Sequence, residues 1–503
     1  MKTLLLHPER AWDREAPLPA TADDLVRDLA LDPLFDAMAR ADPFVRDVAR
    51  RAVLHSEVDP SVITWRLDAV EDARAHTAVV RQLYELSAEA LARERSYWGF
   101  GQSPSSVLYR GVHILEGFAD ALEGLRGFAE GPGPQFRSPA FRRFFAMVRE
   151  ELDAAYLAEV RSHLHRLRFD DGTVLSARLG AGNLGTGYVL RLPADERPGW
   201  WRRHWPARAS PFSFEIAERD EVGARALTEL RDQGYASVAR AVARSNDHLH
   251  GFFSGLRSEL AFYLAAAHLA EDLSARGLSV GRPEPLPAGS PEWEAEGLYL
   301  PGLALLAPGP IVVNRLAATG KGLVVVTGPN QGGKSTFLRS VGTAQLLLQA
   351  GLPVPGARYR SAVAPAIATH FARAEDPTFT SGRLDDELRR MSTVVSGLRP
   401  GALLLSNESF SSTNEREGSE IADQVFRAAL DAGVRVVVVT HFHELASALA
   451  TEVGGRAQFL LAERTADGRR TFRLIEGAPR PTSFAADVYR TVFGTSLPAA
   501  PDR

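Results

Sequence analysis

The sequence predicts a multidomain chain in which an α-helical region with a small β-hairpin insertion precedes an α/β domain with a mostly parallel sheet. Three observations support this prediction: apolar stripes at helical spacing through the first 165 residues, strand-like segments between 166 and 206, and β-branched strands alternating with helices beyond 291. Apolar strands between helices are typical of a parallel sheet covered on both faces. At 503 residues the chain is long enough for about two to four domains.

The first region is predicted to be helical. Apolar residues recur at helical spacing over 19–31 and 42–54. The cap-like Ser138 and the apolar stripe after it predict one helix of about 27 residues that continues to His165, roughly 40 Å long at 1.5 Å per residue. The sequence GPGPQ at 131–135 predicts the break before this helix.

The hydrophobic period changes between 166 and 206, where two strand-like segments flank the loop GAGNLG. This loop matches G-x-G-x-x-G, which opens a helix in a dinucleotide-binding fold. Because a strand follows here, we predict a glycine-rich hairpin loop. A second helical block, roughly 219–277, ends at Gly277, before a Pro- and Gly-rich linker at 281–291.

These patterns divide the chain into predicted parts. They are a helical core and lever domain at 1–165 and 207–290, a small β insertion at 166–206, an α/β domain at 291–495 and a tail at 496–503.

Composition excludes several classes of protein. The chain is 45% hydrophobic and 24% charged, as a globular protein is, and its net charge of −4 restricts any nucleic-acid contact to a local patch. It has no cysteine, which excludes disulfides, cysteine-ligated zinc and a thiol nucleophile. No apolar run approaches the roughly 18 to 20 residues that span a membrane, and we expect a cytoplasmic protein with no membrane partner.

The strongest motif follows the β-branched strand GLVVVT and matches G-x-x-x-x-G-K-[ST]. In this motif backbone N–H groups surround phosphate oxygens, the lysine bridges the outer phosphates and the serine ligates magnesium. A glycine turn with a purely structural role is the alternative. The residues predicted to bind nucleotide are Gly328, Pro329, Asn330, Gln331, Gly332, Gly333, Lys334, Ser335 and Thr336.

The longer string TGPNQGGKSTFLRSVG, residues 327–342, resembles the P-loop of the MutS family of DNA mismatch-repair ATPases. Four other segments resemble further parts of the family's nucleotide domain. They are Asn314 in PIVVNRL, the SGR at 381–383, the pair Thr440-His441 at the end of a strand, and the segment 470–488. The resemblance implies a P-loop NTPase fold, ATP and Mg²⁺ as cofactors, DNA as partner and a homodimer acting in DNA repair or recombination.

Two departures from the family pattern carry an expectation about DNA. Nothing in the chain resembles the family's amino-terminal mismatch-reading domain or its connector, and little sequence follows the nucleotide domain. We therefore expect a chain that begins at the core domain and binds DNA by structure or charge, without reading mismatches.

The strand LLLSN ends in Asn407-Glu408, where the family has Asp-Glu. The resemblance makes Ser335 and Asn407 the metal-site residues, with Lys334, Glu408 and His441 as the catalytic residues. An amide oxygen brings no charge, so we expect weaker magnesium binding and slow hydrolysis. A site that binds ATP without turnover is the alternative.

The resemblance and the local composition indicate further candidate residues. SGR resembles the family's trans-acting signature loop, which implies that Ser381 or Arg383 contacts the neighbouring subunit's nucleotide; a plain surface turn is the alternative. His443, close to the end of the strand that precedes it, is interpreted as the start of a helix, with a metal ligand as the alternative. In GWWRRHWPAR, the candidate DNA contacts are Arg202, Arg203 and Arg208. A buried junction between domains is the alternative explanation of this segment.

The predicted function is therefore a MutS-like ATPase that binds DNA as a dimer. The alternative is a nucleotide-gated scaffold for a protein or RNA partner, with little or no hydrolysis.

Overall fold

The structure is a computed structural model that describes residues 1–96, 101–170, 172–191, 215–217, 219–373, 382–465 and 469–479. Within these ranges the helices, numbered in chain order, are α1 (Ala22–Leu29), α2 (Asp32–Ala39), α3 (Pro43–Leu54), α4 (Pro60–Ala75), α5 (Thr77–Ser96), α6 (Pro104–Glu130), α7 (Pro139–Glu151), α8 (Ala154–Arg166), α9 (Glu221–Ala275), α10 (Pro301–Leu306), α11 (Lys334–Ala350), α12 (Arg383–Gly397), α13 (Glu415–Asp431) and α14 (His443–Val453).

The strands of the same ranges are β1 (Val174–Leu179), β2 (Gly185–Arg191), β3 (Val280–Gly281), β4 (Glu284–Leu286), β5 (Trp293–Leu298), β6 (Asn314–Ala317), β7 (Leu323–Thr327), β8 (Val354–Pro355), β9 (Arg358–Ala362), β10 (Ile367–Phe371), β11 (Leu403–Asn407), β12 (Arg435–Val439), β13 (Ala457–Arg464) and β14 (Arg470–Glu476). None of the helices in the described ranges is long and apolar enough to cross a membrane.

The chain divides into two compact units. The first comprises residues Met1–Thr3, Arg81–Phe136 and Phe141–Arg257, and the second comprises Leu4–Val80, Arg137–Ala140 and Ser258–Arg503.

The first unit contains a core between α6, α8 and the amino-terminal part of α9. Leu108, Leu164 and Val242 belong to its buried cluster. A side chain at Gly111 of α6 would lie 2.4 Å from Val242 of α9, so glycine allows the close approach of these two helices. The predicted second helical block is confirmed, because α9 covers 55 residues and Gly277 follows it with a φ of 72°.

The prediction of one helix from Ser138 to His165 is wrong. α7 ends at Glu151, and α8 begins after Asp153, whose carboxylate accepts the N–H of Tyr156 at 2.7 Å. Asp153 has extended backbone angles and acts as an N-cap, a role for which aspartate is strongly preferred. Tyr156, placed on the predicted apolar stripe, is 48% exposed.

The predicted hairpin is confirmed. β1 and β2 pair antiparallel, from Val174 opposite Arg191 to Leu179 opposite Gly185. Gly182 in the loop between them has a φ of 69°, a left-handed conformation that glycine adopts readily. The loop joins two strands of one sheet and opens no α-helix, so it is not a dinucleotide fingerprint.

The second unit contains a six-stranded sheet in the order β10-β11-β12-β7-β13-β14. The first five strands are parallel, and β14 pairs antiparallel with β13. The predicted helical region followed by an α/β domain with a mostly parallel sheet is confirmed. Since the carboxyl ends of parallel strands lie at one edge, Thr327, Asn407 and Val439 end their strands on the same side of the sheet.

α1 is hydrogen-bonded to this sheet and to α11. Thr369 of β10 donates its hydroxyl to the Asp28 carboxylate at 2.7 Å, and Arg339 of α11 donates to the Asp28 carbonyl at 2.8 Å. Asp28 and Thr369 are both buried, so each side chain finds its hydrogen-bond partner inside the protein.

Candidate nucleotide site

The loop between β7 and α11 has left-handed backbone at three positions. The φ angles are 122° at Gly328, 61° at Gln331 and 91° at Gly333. A side chain at Gly332 would lie 2.8 Å from the Cβ atom of Ala462 and 3.0 Å from the carbonyl oxygen of Pro329. Glycine at 328, 332 and 333 therefore gives the tight turn that a phosphate-binding loop at a helix N-terminus requires.

Lys334, the first residue of α11, holds its ammonium group over this loop. Its Nζ donates to the carbonyl oxygens of Gly328 at 2.8 Å and Pro329 at 3.1 Å, and to Asn330 Oδ1 at 3.5 Å. Burial lowers the pKa of the Lys334 ammonium, and the Glu408 carboxylate acts in the opposite direction. The loop thus keeps a buried cation at the amino end of a helix, where an anion binds favourably.

Ser335 and Asn407 meet across the site. The Ser335 hydroxyl donates to Asn407 Oδ1 at 2.8 Å, joining the start of α11 to the end of β11. Hydroxyl and amide oxygens are hard ligands of the kind that Mg²⁺ takes, and the serine oxygen keeps lone pairs for a metal while its proton is given to Asn407. The two residues therefore fit the metal role that the resemblance implies. A bound Mg²⁺ would neutralise phosphate charge beside them.

Glu408 and His441 follow directly after the ends of the neighbouring strands β11 and β12. Glu408 has a φ of 53°, which is uncommon for a residue other than glycine, and its N–H donates to the Val439 carbonyl at 2.8 Å. His441 Nδ1 lies 4.0 Å from Glu408 Oε1, with the two side chains 45% and 33% exposed. An acid and an imidazole are thus paired at the mouth of the site, accessible to solvent.

β14 covers the phosphate-binding loop. Arg470 donates to Gln331 Oε1 at 2.6 Å, and the carbonyl oxygen of Phe472 lies 3.2 Å from where a Cβ at Gly333 would stand. Asn314 of β6 fixes this strand, because its amide accepts the Leu474 N–H at 2.8 Å and donates to the Phe472 carbonyl at 3.4 Å. Asn314 therefore supports the site from a second sheet. Sequence reasoning singled it out by resemblance only and did not identify Arg470.

His443 begins α14, as the sequence interpretation had it. Its N–H donates to Glu415 Oε1 at 2.8 Å, and its Nε2 lies 3.3 Å from Ser447 Oγ one turn along the helix. Across the described part of the chain no group of three His, Asp or Glu side chains is arranged to hold a metal ion.

The structure brings Lys334, Ser335, Asn407, Glu408 and His441 to one edge of the sheet. Arg383 is the first residue of α12. Ser381 and the three candidate DNA contacts lie outside the described residues; these contacts are Arg202, Arg203 and Arg208.

Sequence reasoning missed a buried polar cluster directly behind the strand end. His370, Ser406 and Ser409 are all buried, and their side chains are hydrogen-bonded to one another. The signals in the sequence were a histidine inside the apolar strand IATHF and a serine on each side of Asn407-Glu408.

Comparison with known proteins assigns family domains to two stretches of the chain. Residues 58–276 match the model of the MutS2 N-terminal domain, and residues 324–488 match the model of MutS domain V.

Named relatives give the same assignment. The chain is 32% identical over 242 residues to "Endonuclease MutS2" of Anaeromyxobacter sp. (strain Fw109-5), a match that covers 46% of this chain and 29% of that protein. It is 34% identical over 166 residues to "DNA mismatch repair protein MutS" of Synechococcus sp. (strain CC9902), covering 32% of this chain and 18% of that protein. It is 26% identical over 261 residues to "MutS protein homolog 4" of Homo sapiens, covering 51% of this chain and 27% of that protein. The chain therefore spans less than a third of the length of these relatives.

Proposed function

The chain belongs to the MutS family, and we propose from that premise that it binds and hydrolyses ATP with Mg²⁺ and acts on DNA as a homodimer. The proposed cellular process in which it acts is DNA repair or recombination. The observation that carries the proposal is the 2.8 Å hydrogen bond from Ser335 to Asn407, which joins the phosphate-binding helix to the strand end that presents Glu408.

Each residue of the site has a proposed role. Lys334 binds the outer phosphates, Ser335 and Asn407 hold the metal, Glu408 orients the attacking water and His441 contacts the terminal phosphate. The nine residues from Gly328 to Thr336 bind the nucleotide. Turnover is slow, because an uncharged amide at Asn407 holds magnesium less strongly than a carboxylate does.

The dimer and the mode of DNA binding are part of the same proposal. Two chains enclose two nucleotides, with Ser381 or Arg383 of one chain reaching the nucleotide of the other. DNA is bound through its phosphates, with Arg202, Arg203 and Arg208 as candidate contacts, and mismatches are not read because phosphate contacts carry no base information. The proposed parts are a helical core and lever domain, a β insertion at 166–206 and an ATPase domain at 291–495.

Asn407 also favours a second candidate function. A strand end without the aspartate charge suits a nucleotide-gated scaffold, in which ATP binding closes the dimer around a protein or RNA partner with little hydrolysis. The two candidates differ in two measurable properties. The first candidate binds DNA in a way that depends on the nucleotide state and hydrolyses ATP, whereas the second binds another partner with little hydrolysis.

A gel-shift panel separates them. Wild-type protein is incubated with homoduplex, singly mismatched, nicked and branched DNA, each without nucleotide, with ATP and with a non-hydrolysable analogue, and phosphate release is measured in the same samples. The proposal expects DNA complexes whose affinity or lifetime changes with ATP, together with phosphate release. Absence of any DNA complex while ATP binds with ordinary affinity would refute the DNA proposal and favour the scaffold.

A further inference from the structure

The geometry points to His370 as a positioning residue for Glu408: through the Ser409 hydroxyl it holds the turn that presents the carboxylate and ties that turn to Glu387 in the amino-terminal half of α12. This inference rests on the proposed ATPase function. It adds His370 and Ser409, which belong neither to the G-x-x-x-x-G-K-[ST] motif nor to the pair Asn407-Glu408.

Ser409 is the centre of a hydrogen-bonded chain. Its Oγ lies 2.6 Å from His370 Nδ1 and 2.6 Å from Ser406 Oγ, and 3.0 Å from the His370 carbonyl oxygen. His370 Nε2 lies 3.1 Å from the carbonyl oxygen of Glu387 in α12. β10, β11 and α12 are therefore connected through two serine hydroxyls and one imidazole.

The protonation state of His370 follows from these partners. A carbonyl oxygen can only accept, so Nε2 carries the proton and donates to Glu387, and Nδ1 of a neutral ring accepts from the Ser409 hydroxyl. The single Ser409 proton goes to Nδ1, its nearer acceptor at 2.6 Å against 3.0 Å for the His370 carbonyl, and the Ser406 hydroxyl then donates to Ser409. Burial, followed by the nearby Arg390 guanidinium, lowers the pKa of His370 to about 4, which agrees with a neutral ring.

These hydrogen bonds hold a turn with a strained backbone. Glu408 and Phe410, on either side of Ser409, have left-handed φ angles of 53° and 63°. Left-handed residues other than glycine persist where their surroundings fix them, and such sites are frequent at functional positions. Besides the backbone bond of Glu408 to Val439 and the burial of Phe410 in the core, the hydrogen bonds of the Ser409 hydroxyl fix this turn.

α12 is hydrogen-bonded at two further points to residues next to this cluster in the chain. Arg390 donates to the Phe371 carbonyl at 3.2 Å, and the Ser412 hydroxyl donates to Glu387 Oε2 at 2.8 Å. α12 begins at Arg383, one of the residues proposed to act in trans. A displacement of the amino-terminal half of α12 would therefore act on the Glu387 carbonyl and, through it, on the His370 ring and the Ser409 hydroxyl.

A pair of amide substitutions separates positioning from packing. Asparagine at 370 places an oxygen near the position of Nδ1 and keeps an acceptor for Ser409, whereas glutamine places its NH₂ near Nε2 and keeps only the donor to Glu387. If His370 served packing alone, His370→Asn would be the more damaging change, because the shorter side chain leaves the larger cavity beside Phe410. Positioning through Ser409 predicts the opposite order.

The experiment compares wild type, His370→Asn, His370→Gln and Ser409→Ala in two measurements. The first is steady-state ATP turnover. We expect kcat to fall at least about tenfold in His370→Gln and Ser409→Ala with KM changed less than about twofold, and His370→Asn to stay within about threefold of wild type. A kcat that is lowest in His370→Asn, or equal losses in both amide variants, would overturn the inference.

The second measurement does not depend on turnover. Amide hydrogen exchange is followed for a peptide covering 406–410, with a peptide covering 323–327 of β7 as the internal control. We expect exchange at 406–410 to be at least about tenfold faster in His370→Gln than in wild type and nearly unchanged in His370→Asn. Equal acceleration in the two variants refutes the positioning role. A wild type without turnover would refute the proposed ATPase instead, and the exchange order would still decide whether His370 holds the turn.

Discussion

Replacing Asn407 by aspartate isolates the charge that distinguishes this strand end. The two side chains have nearly the same shape, and Asn407 Oδ1 already accepts the Ser335 hydroxyl at 2.8 Å. A neutral hydrogen bond contributes about 1 kcal/mol and one to a charged acceptor about 1.5–3 kcal/mol, so Asn407→Asp strengthens this link by about 1 kcal/mol. The neighbouring Glu408 carboxylate repels the new charge and opposes part of the gain.

The expected result is a lower magnesium requirement. A carboxylate also contacts bound Mg²⁺ or its water more strongly than an amide does, by a comparable amount of about 1 kcal/mol. This corresponds to about fivefold tighter Mg²⁺ binding, while KM for ATP at saturating Mg²⁺ changes less than about twofold. The assay is a magnesium titration of ATP turnover, repeated for binding of a fluorescent ATP analogue. Asn414→Asp is the matched control, because Asn414 caps α13 and accepts the Glu417 N–H at 3.0 Å, outside the site.

Two results would refute this reasoning. A magnesium requirement that is unchanged or higher in Asn407→Asp would show that Asn407 does not serve the metal. A wild type without turnover, in which Asn407→Asp restores hydrolysis, would show that the native site binds ATP without cleaving it.

Four further predictions address nucleotide, assembly, DNA and stability. Lys334→Ala removes the cation that binds the outer phosphates, and equilibrium binding should show ATP affinity or turnover lost; unchanged values of both contradict the assignment. ATP or a non-hydrolysable analogue should favour dimers in light scattering, and a monomer at micromolar concentration in every nucleotide state contradicts a nucleotide shared between chains. DNA affinity should fall steeply with salt and should differ by less than about tenfold, roughly 1.4 kcal/mol, between homoduplex and a single mismatch. Arg202→Ala combined with Arg203→Ala should weaken binding to all DNA forms about equally. A preference for the mismatch that survives high salt contradicts this prediction. Burial raises the pKa of the Glu259 carboxyl from 4.5 to about 7, so the folded state keeps a proton that the unfolded chain releases. The contribution of Glu259 to stability is fully present below about pH 4.5, and about 3 kcal/mol of it is lost as pH rises to about 7. Urea unfolding at several pH values should show this slope reduced in Glu259→Gln, and an identical slope refutes it.

The parts of the fold that follow from local pattern could be predicted from the sequence. α11 begins at Lys334 because the glycines before it form the loop and the apolar residues after it form the helix, so motif and period agree on one boundary. β7 and β12 follow from β-branched runs that suit only a buried parallel strand. The helix break at Asp153 was missed because the apolar spacing of α7 continues into α8, and a single capping residue ends one helix and starts the next.

The candidate site could be predicted only where motifs mark it. Lys334, Ser335 and Glu408 stand in recognisable strings, but the hydrogen bond from Ser409 to His370 joins residues 39 positions apart. No periodicity encodes such a contact, because it depends on the register that places His370 of β10 beside Ser406 of β11. The support that Asn314 gives to β14 is a contact of the same kind, over a separation of 160 residues.

Single-turnover hydrolysis by wild type and Glu408→Gln tests the central claim most directly. Protein in excess over γ-labelled ATP is mixed with Mg²⁺ and DNA, and bound ATP and released phosphate are followed in time. Glu420→Gln is the control, because this exposed α13 carboxylate pairs with its helix neighbour Arg416 at 3.2 Å. We predict phosphate release by wild type and Glu420→Gln, and ATP that stays bound and uncleaved in Glu408→Gln. Equal phosphate release by wild type and Glu408→Gln, or none by wild type, would contradict hydrolysis at this site.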